Sequence, residues 1–300
     1  MKILGMMLVF ILTLAQNVCA QPLEYKDEPS FCQRVTKYIY QRPDLTVRNT
    51  PIRIRTRSDH PIAPRIKLTR NLPFIDAVFI RGGVDLQIIG TPGCNKISVK
   101  TAYPGLGVKV CDGAIYISNT KPVDCNQNPK PCIKLCINEL RHLVVAGTSC
   151  SAGGNSCITV NNIHSPCGLE VESCGSGLIC INGPVNLVRV MNNGTATICV
   201  NHIQSDHLHV LGTKYGVVRL SGSADLLLIR SFQHATVDAR FVCSHTALVQ
   251  AADESFVTVR SVGSLQAFAS GMSNVYYYAK PGELIQHNVL SGNVFPMGGW

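Results

Sequence analysis

The chain of 300 residues carries 27 Lys and Arg against 18 Asp and Glu, a formal net charge of +9, and 14 cysteines. So many cysteines are out of place in a reducing cytosol and point to an oxidising compartment. The positive charge would suit nucleic acid, but no recognition motif accompanies it and aromatic residues make up only 6%, so nucleic acid is excluded as a partner.

From the N-terminus, Lys2, the apolar run Ile3 to Leu14 and the ending Val18-Cys19-Ala20 read as a secretory signal peptide over 1–20. Gln16 and Asn17 interrupt that run before the ~20 apolar residues a membrane span needs, and no later stretch is long and apolar enough. The residues before Cys19 match a lipidation box poorly. Export to the periplasm, the outer-membrane surface or the medium is expected. Loss of Cys19 leaves an odd number of cysteines, so at least one thiol is free, modified or paired between chains.

Residues 21–70 form a basic arm. Arg42, Arg48, Arg53, Arg55, Arg57, Arg65, Lys67 and Arg70 face only Asp44 and Asp59, and Pro43, Pro51, Pro61 and Pro64 oppose a helix. The patch from Arg48 to Arg70 suits an anionic glycan, lipid headgroups or an envelope polymer. A solvated linker is the plain alternative. From Phe74 apolar alternation begins, with Val78/Ile80, Val84/Leu86/Ile88, Ile97/Val99, Val108/Val110 and Ile115/Ile117 as opening coils or a cap on the first sheet edge. A polar loop, 119–131, leaves the solenoid. Leu135/Ile137, Leu143/Val145 and Ile158/Val160 then resume it around a loop at 147–156.

Between Leu169 and Tyr277 one pattern recurs. Paired apolar positions are Leu169/Val171 with Ile179/Ile181, Val188/Val190 with Ile198/Val200, Leu208/Val210 with Val218/Leu220, Leu227/Ile229 with Val237/Ala239, Ala247/Val249 with Val257/Val259, and Leu265/Ala267 with Val275/Tyr277. The copies start 19, 20, 19, 20 and 18 residues apart. Period-two alternation marks half-buried strands, and a period near twenty marks stacked coils. A small residue always precedes the second pair: Gly177, Ala196, Gly216, Ala235, Ser255 and Ser273, where the coil bends inward. A third inward anchor follows in Val185, Ile203, Ala224, Val242 and Val262. The expected fold is all-β, a single-stranded parallel β-helix over 71–295 with coils of about 20 residues, right-handed, and a tail at 296–300. A large β-sandwich is the alternative.

The cysteine spacings, Cys132 to Cys136, Cys150 to Cys157, Cys167 to Cys174 and Cys174 to Cys180, match no zinc pattern. Structural disulfides are expected among Cys150, Cys157, Cys167, Cys174, Cys180 and Cys199. Cys180 and Cys199 fall at equivalent outward positions on adjacent coils, about 5 Å apart, so they should be bonded or touching.

Three segments carry a family resemblance: Phe74-Ile75-Asp76-Ala77-Val78, Gly82-Gly83-Val84-Asp85-Leu86-Gln87-Ile88, and Val108-Lys109-Val110-Cys111-Asp112-Gly113-Ala114-Ile115-Tyr116-Ile117. With the ending Tyr278-Ala279-Lys280-Pro281-Gly282 and Ser291-Gly292, the chain resembles the head GIN domain of autotransporter adhesins over about 70–295. The resemblance implies a β-helical domain exported by bacteria, with no catalytic residues to carry over. The cysteines and the basic arm depart from it.

The outward columns offer no active site. Thr159, Cys180, Cys199, Arg219, Asp238, Thr258 and Tyr276 hold one acid beside one base, which reads as a surface ion pair between Arg219 and Asp238. Glu170, Arg189, His209, Leu228, Leu248 and Gln266 hold no pair of carboxylates at glycosidase spacing. His207 and His209 share a face without a third ligand, so no metal is assigned. No serine stands in a nucleophile motif, and Asn193-Gly194-Thr195 is a turn. No cofactor is expected. Leu228 and Leu248, neighbours in one column, form a possible partner patch. The reading is a non-enzymatic, exported β-helix protein for surface attachment or envelope interaction, binding an extended polymer or a protein along its outer faces, or associating with itself. The alternatives are a carbohydrate-active β-helix enzyme and a purely structural envelope protein.

Overall fold

The computed structural model describes residues 54–55, 68–99, 105–119, 131–147 and 156–298, all within the compact unit Thr46–Trp300. In chain order the strands are β1 (Ile54–Arg55), β2 (Leu68–Asn71), β3 (Ala77–Arg81), β4 (Asp85–Gly90), β5 (Lys96–Val99), β6 (Leu106–Cys111), β7 (Ala114–Asn119), β8 (Cys132–Ile137), β9 (His142–Ala146) and β10 (Ser156–Asn161). There follow β11 (Leu169–Ser173), β12 (Gly177–Asn182), β13 (Leu187–Asn192), β14 (Thr197–Gly212), β15 (Val217–Ser231), β16 (Thr236–Ala251), β17 (Phe256–Gly271), β18 (Asn274–Tyr277), β19 (Glu283–Leu290) and β20 (Asn293–Pro296). The described residues contain no helix.

The architecture is the parallel β-solenoid that the repeat requires. On the first face Ile179, Ile198, Val218, Val237, Val257, Val275 and Val294 stand in register from coil to coil. On the third face Val171, Val190, Val210, Ile229, Val249 and Ala267 do the same. Both rows are buried, because alternation sends every second side chain inward and stacking removes that row from water. β14 to β17 bend around a corner and supply both faces, with a short middle face between them, where Ile203 pairs Gly222 and Gly222 pairs Val242.

The turns from the third face back to the first explain the small column. Lys214, Gln233, Asp253, Gly271 and Leu290 have φ of 58°, 60°, 63°, 67° and 56°, and each stands two residues before Gly216, Ala235, Ser255, Ser273 or Gly292. The amide of each of these small residues donates to the carbonyl three residues back, from Gly216 to Thr213 at 3.1 Å to Gly292 to Val289 at 3.1 Å. A turn with positive φ reverses the chain tightly and presses the following residue into the interior, where only a small side chain fits. Ser255 and Ser273 use their hydroxyls there, donating to the carbonyls of Ser231 and Ala251 at 2.9 and 3.1 Å.

Two inward assignments are corrected. Val188 is not the inward residue of its strand. The register shifts at Leu169/Glu170, Leu187 pairs Leu169 and is fully buried, and the extra residue lets Val188 turn out toward Gly168, where a Cβ would lie 2.5 Å from its Cγ1. Val262 is 45% exposed rather than a third anchor. The shortest repeat falls here, and Ser261 takes the inward place, its hydroxyl donating to the carbonyls of His245 and Ser264 at 3.0 and 2.7 Å.

The N-terminal strands do not wind in chain order. β4 lies between β8 and β10, and β3 between β7 and β9, all parallel. Leu135/Ile137 and Leu143/Val145 therefore belong to layers with the β3–β4 coil between them, not to consecutive turns. Beyond β8 come β5 and then β2, and beyond β7 come β6 and then β1, all antiparallel. They cap this end. A Cys94–Cys136 disulfide fastens the turn before β5 to β8.

Candidate functional site

The alternation that fills the core leaves three outer surfaces, each a set of ladders. On the first face Thr159, Cys180, Cys199, Arg219, Asp238, Thr258, Tyr276 and Phe295 follow one another in register. Asp238 does not pair Arg219. Arg240, two residues on, donates through Nε and Nη2 to Asp238 Oδ1 and Oδ2 at 2.9 and 2.7 Å, and Thr258 Oγ1 donates to Oδ1 at 2.6 Å. Residues two apart on a strand share a face, so the near neighbour wins over the coil above. Burial pushes this carboxyl up, yet the hydrogen bonds from Arg240 and Thr258 outweigh it and hold the pKa below the usual carboxylate range. A carboxylate so satisfied has no proton to give. The Arg240 guanidinium also lies 5.4 Å from the Phe241 ring and 5.7 Å from that of Tyr278.

Two further rows run along this face. Asn182 Nδ2 donates to Asn161 Oδ1 at 3.3 Å, Asn201 Nδ2 to Asn182 Oδ1 at 2.9 Å, and Ser221 Oγ to Asn201 Oδ1 at 3.1 Å. Near the C-terminal end the rings of Phe256, Tyr276 and Phe295 follow one another, tilted by 36° and 31°, with centroids 4.9 and 5.5 Å apart.

On the third face Arg189, His209, Leu228, Leu248, Gln266 and Ile285 form one ladder. Leu228 is half-buried and Leu248 is 38% exposed, so the two leucines do lie side by side on the surface. Burial, then the nearby Arg189, Arg230 and His207, pull the pKa of His209 down, and a neutral imidazole results at neutral pH. Among the described residues no three His, Cys, Asp or Glu side chains converge as metal ligands.

The middle face holds a feature the columns did not reveal. Asn186, just before β13, Gln204, Ser205 and Asp206 of β14, and Ser223 and Asp225 of β15 line a shallow cavity of about 370 Å³. Gln204 and Ser223 are register partners, and the Gln204 amide donates to the Val185 carbonyl at 2.9 Å, which fixes the lining backbone to the coil before. Three successive coils thus present amide, hydroxyl and carboxylate groups to one cavity. The 19-residue offset of Asp206 and Asp225 was the signal available for it.

The cysteines divide. Cys180 and Cys199 are register partners on adjacent coils but free thiols, not a disulfide; burial and then the neighbouring Cys199 push the Cys180 thiol up. Cys157 and Cys167 are exposed free thiols, Cys174 is disulfide-bonded, and Cys150 lies outside the described residues. Of the basic patch, Arg70 is exposed on β2 and Arg55 lies in β1; Arg48, Arg53, Arg57, Arg65 and Lys67 lie outside the described residues.

Comparison with known proteins adds to this geometry. The family described as "Putative auto-transporter adhesin, head GIN domain" matches residues 132–281. A solved structure named a putative adhesin, from Parabacteroides distasonis ATCC 8503, superposes with a TM-score of 0.64 at 15% identity, covering 78% of this chain and 97% of its own. One from the same organism named a putative lipid binding protein gives 0.63 at 19% identity over 77% and 97%. A putative adhesin from Parabacteroides merdae ATCC 43184 gives 0.62 at 15% over 78% and 96%. At these identities they show a shared fold. No curated protein matches the chain.

Proposed function

Because this chain belongs to the auto-transporter adhesin family with a head GIN domain, we propose that it is an exported, non-enzymatic attachment protein that holds an extended glycan across its coils. The observation that carries this reading is the middle-face cavity, where Asn186, Gln204, Asp206, Ser223 and Asp225 converge from three coils. Amide and carboxylate groups in a shallow, open trough suit the paired hydroxyls of a sugar, and a repeat along the solenoid axis suits a polymer longer than one sugar. The carboxylates disfavour an anionic chain at this spot. Anionic glycans or lipid headgroups fall instead to the basic arm at 21–70, whose attraction is screened by salt. The candidate acid of the first face, Asp238, is engaged by Arg240 and Thr258, which favours binding over turnover.

A glycan array at low and high salt tests this reading. Binding of neutral glycans that persists at high salt, and weakens about tenfold in Asp225→Ala or Gln204→Ala, is the expected result. An array without neutral-glycan binding overturns it. Cleavage of any bound glycan would overturn the non-enzymatic part.

A further inference from the structure

We propose that the C-terminal end of the solenoid is a self-association surface, where β19 pairs antiparallel with β19 of a second copy about a two-fold axis. The two ends of the solenoid differ. At the N-terminal end antiparallel strands cover the outermost parallel strands, but at the other end, among the described residues, β19 pairs only with β17 and β20 only with β18. A row of unpaired backbone donors and acceptors is left on each, a template for another strand.

The side chains of the last coil are equally unfinished. Every residue of β19 is exposed. Leu284 stands in register with Leu265, yet Leu265 is 1% exposed and Leu284 38%, because only Leu265 has a coil on both sides. Ile285, Val289 and Phe295 are 42%, 43% and 40% exposed, and the row of tilted rings ends at Phe295. Val294 closes its inward row, but Leu284, Ile285, Val289 and Phe295 remain open on the last coil, and an apolar patch of this kind marks an interface.

A second copy fits this end better than a single foreign strand, which would cover one edge and leave the interior of the coil open. The whole last coil, Lys280 to Gly298, is presented here, close to the roughly 20 residues a side that a standard interface engages. The two edges also match in side-chain type. A two-fold axis perpendicular to the third face keeps inward positions inward, so residues of the same parity pair. With the axis at Ile285, the two Ile285 side chains meet, and Glu283 of each copy stands opposite His287 of the other. An imidazole facing a carboxylate and an apolar pair on the axis both suit antiparallel strands. Such a contact is isologous and closes at two copies. It does not draw on the glycan-binding reading.

Sedimentation of the full chain under reducing conditions, over a wide range of concentration, tests the proposal. A reversible monomer–dimer equilibrium is expected. Ile285→Lys, which sets two ammonium groups on the axis, should weaken it at least 100-fold with an unchanged circular dichroism spectrum. His287→Glu should weaken it about tenfold by facing Glu283, and adding Glu283→Lys should restore it, a rescue that loss of fold cannot produce. A chain that is monomeric at every concentration overturns the proposal, whether its end stays bare or takes a strand from another protein. So does a dimer indifferent to Ile285→Lys.

Discussion

Asp238 stands alone as an acid on the first-face column, and its surroundings decide what it does. The hydrogen bonds from Arg240 and Thr258 favour the charged form, so the folded pKa lies below the unfolded one. Its contribution to stability is therefore complete above the ordinary carboxylate pKa and is lost as the pH falls through the lowered value. Asp238→Asn should cost about 1 kcal/mol at pH 7, since the network is partly exposed. In urea titrations that difference should shrink as the pH falls through the lowered value, where the wild-type carboxyl is also protonated; a difference independent of pH would count against the network. The sequence column showed this acid but paired it with Arg219. A column lists neighbours between coils and is blind to a partner two residues along the same strand.

Among elements, the corner turn is where most of the legible repeat resides. Fixed offsets of alternating apolar residues could be read directly, because inward and outward positions follow from the period of a strand. The small column was legible for the same reason, and Ala235, fully buried, tests it. Ala235→Leu should overfill the corner and lower stability by about 2 to 3 kcal/mol, measured by chemical denaturation; Ala235→Gly should be milder. The left-handed residues were not legible. Lys214, Gln233 and Asp253 share a backbone conformation but no side-chain type, so no letter pattern marks them. Their bonds are coil to coil: the Lys214 amide donates to Gln233 Oε1 at 2.8 Å, and that of Gln233 to Asp253 Oδ2 at 3.0 Å. Bulges escape sequence reading likewise, and one of them exchanged Val188 for Leu187. The polar cavity went unseen because its lining belongs to the short middle face, where the period-two signal is too brief to set a register.

At the scale of the whole solenoid, each coil is stabilised by its neighbours, so stability should depend on position along the stack. Among the described residues, central coils in β14 to β16 have a layer on either side, whereas β19 and β20 have one. Hydrogen exchange at concentrations too low for association should be slowest in β14 to β16 and fastest in β19 and β20. Equal protection from end to end would mean that the stack opens as one unit. The strand order at the other end brings a different consequence. β4 is flanked by β8 and β10, so a ribosome or a secretion pore that releases the chain N-terminus first supplies the centre of a layer long before both its sides. Winding can proceed in order only from β9 onward. The opening residues must wait, unclosed, until Asn161 has emerged, and a delay of that kind keeps a polypeptide threadable while it is being moved.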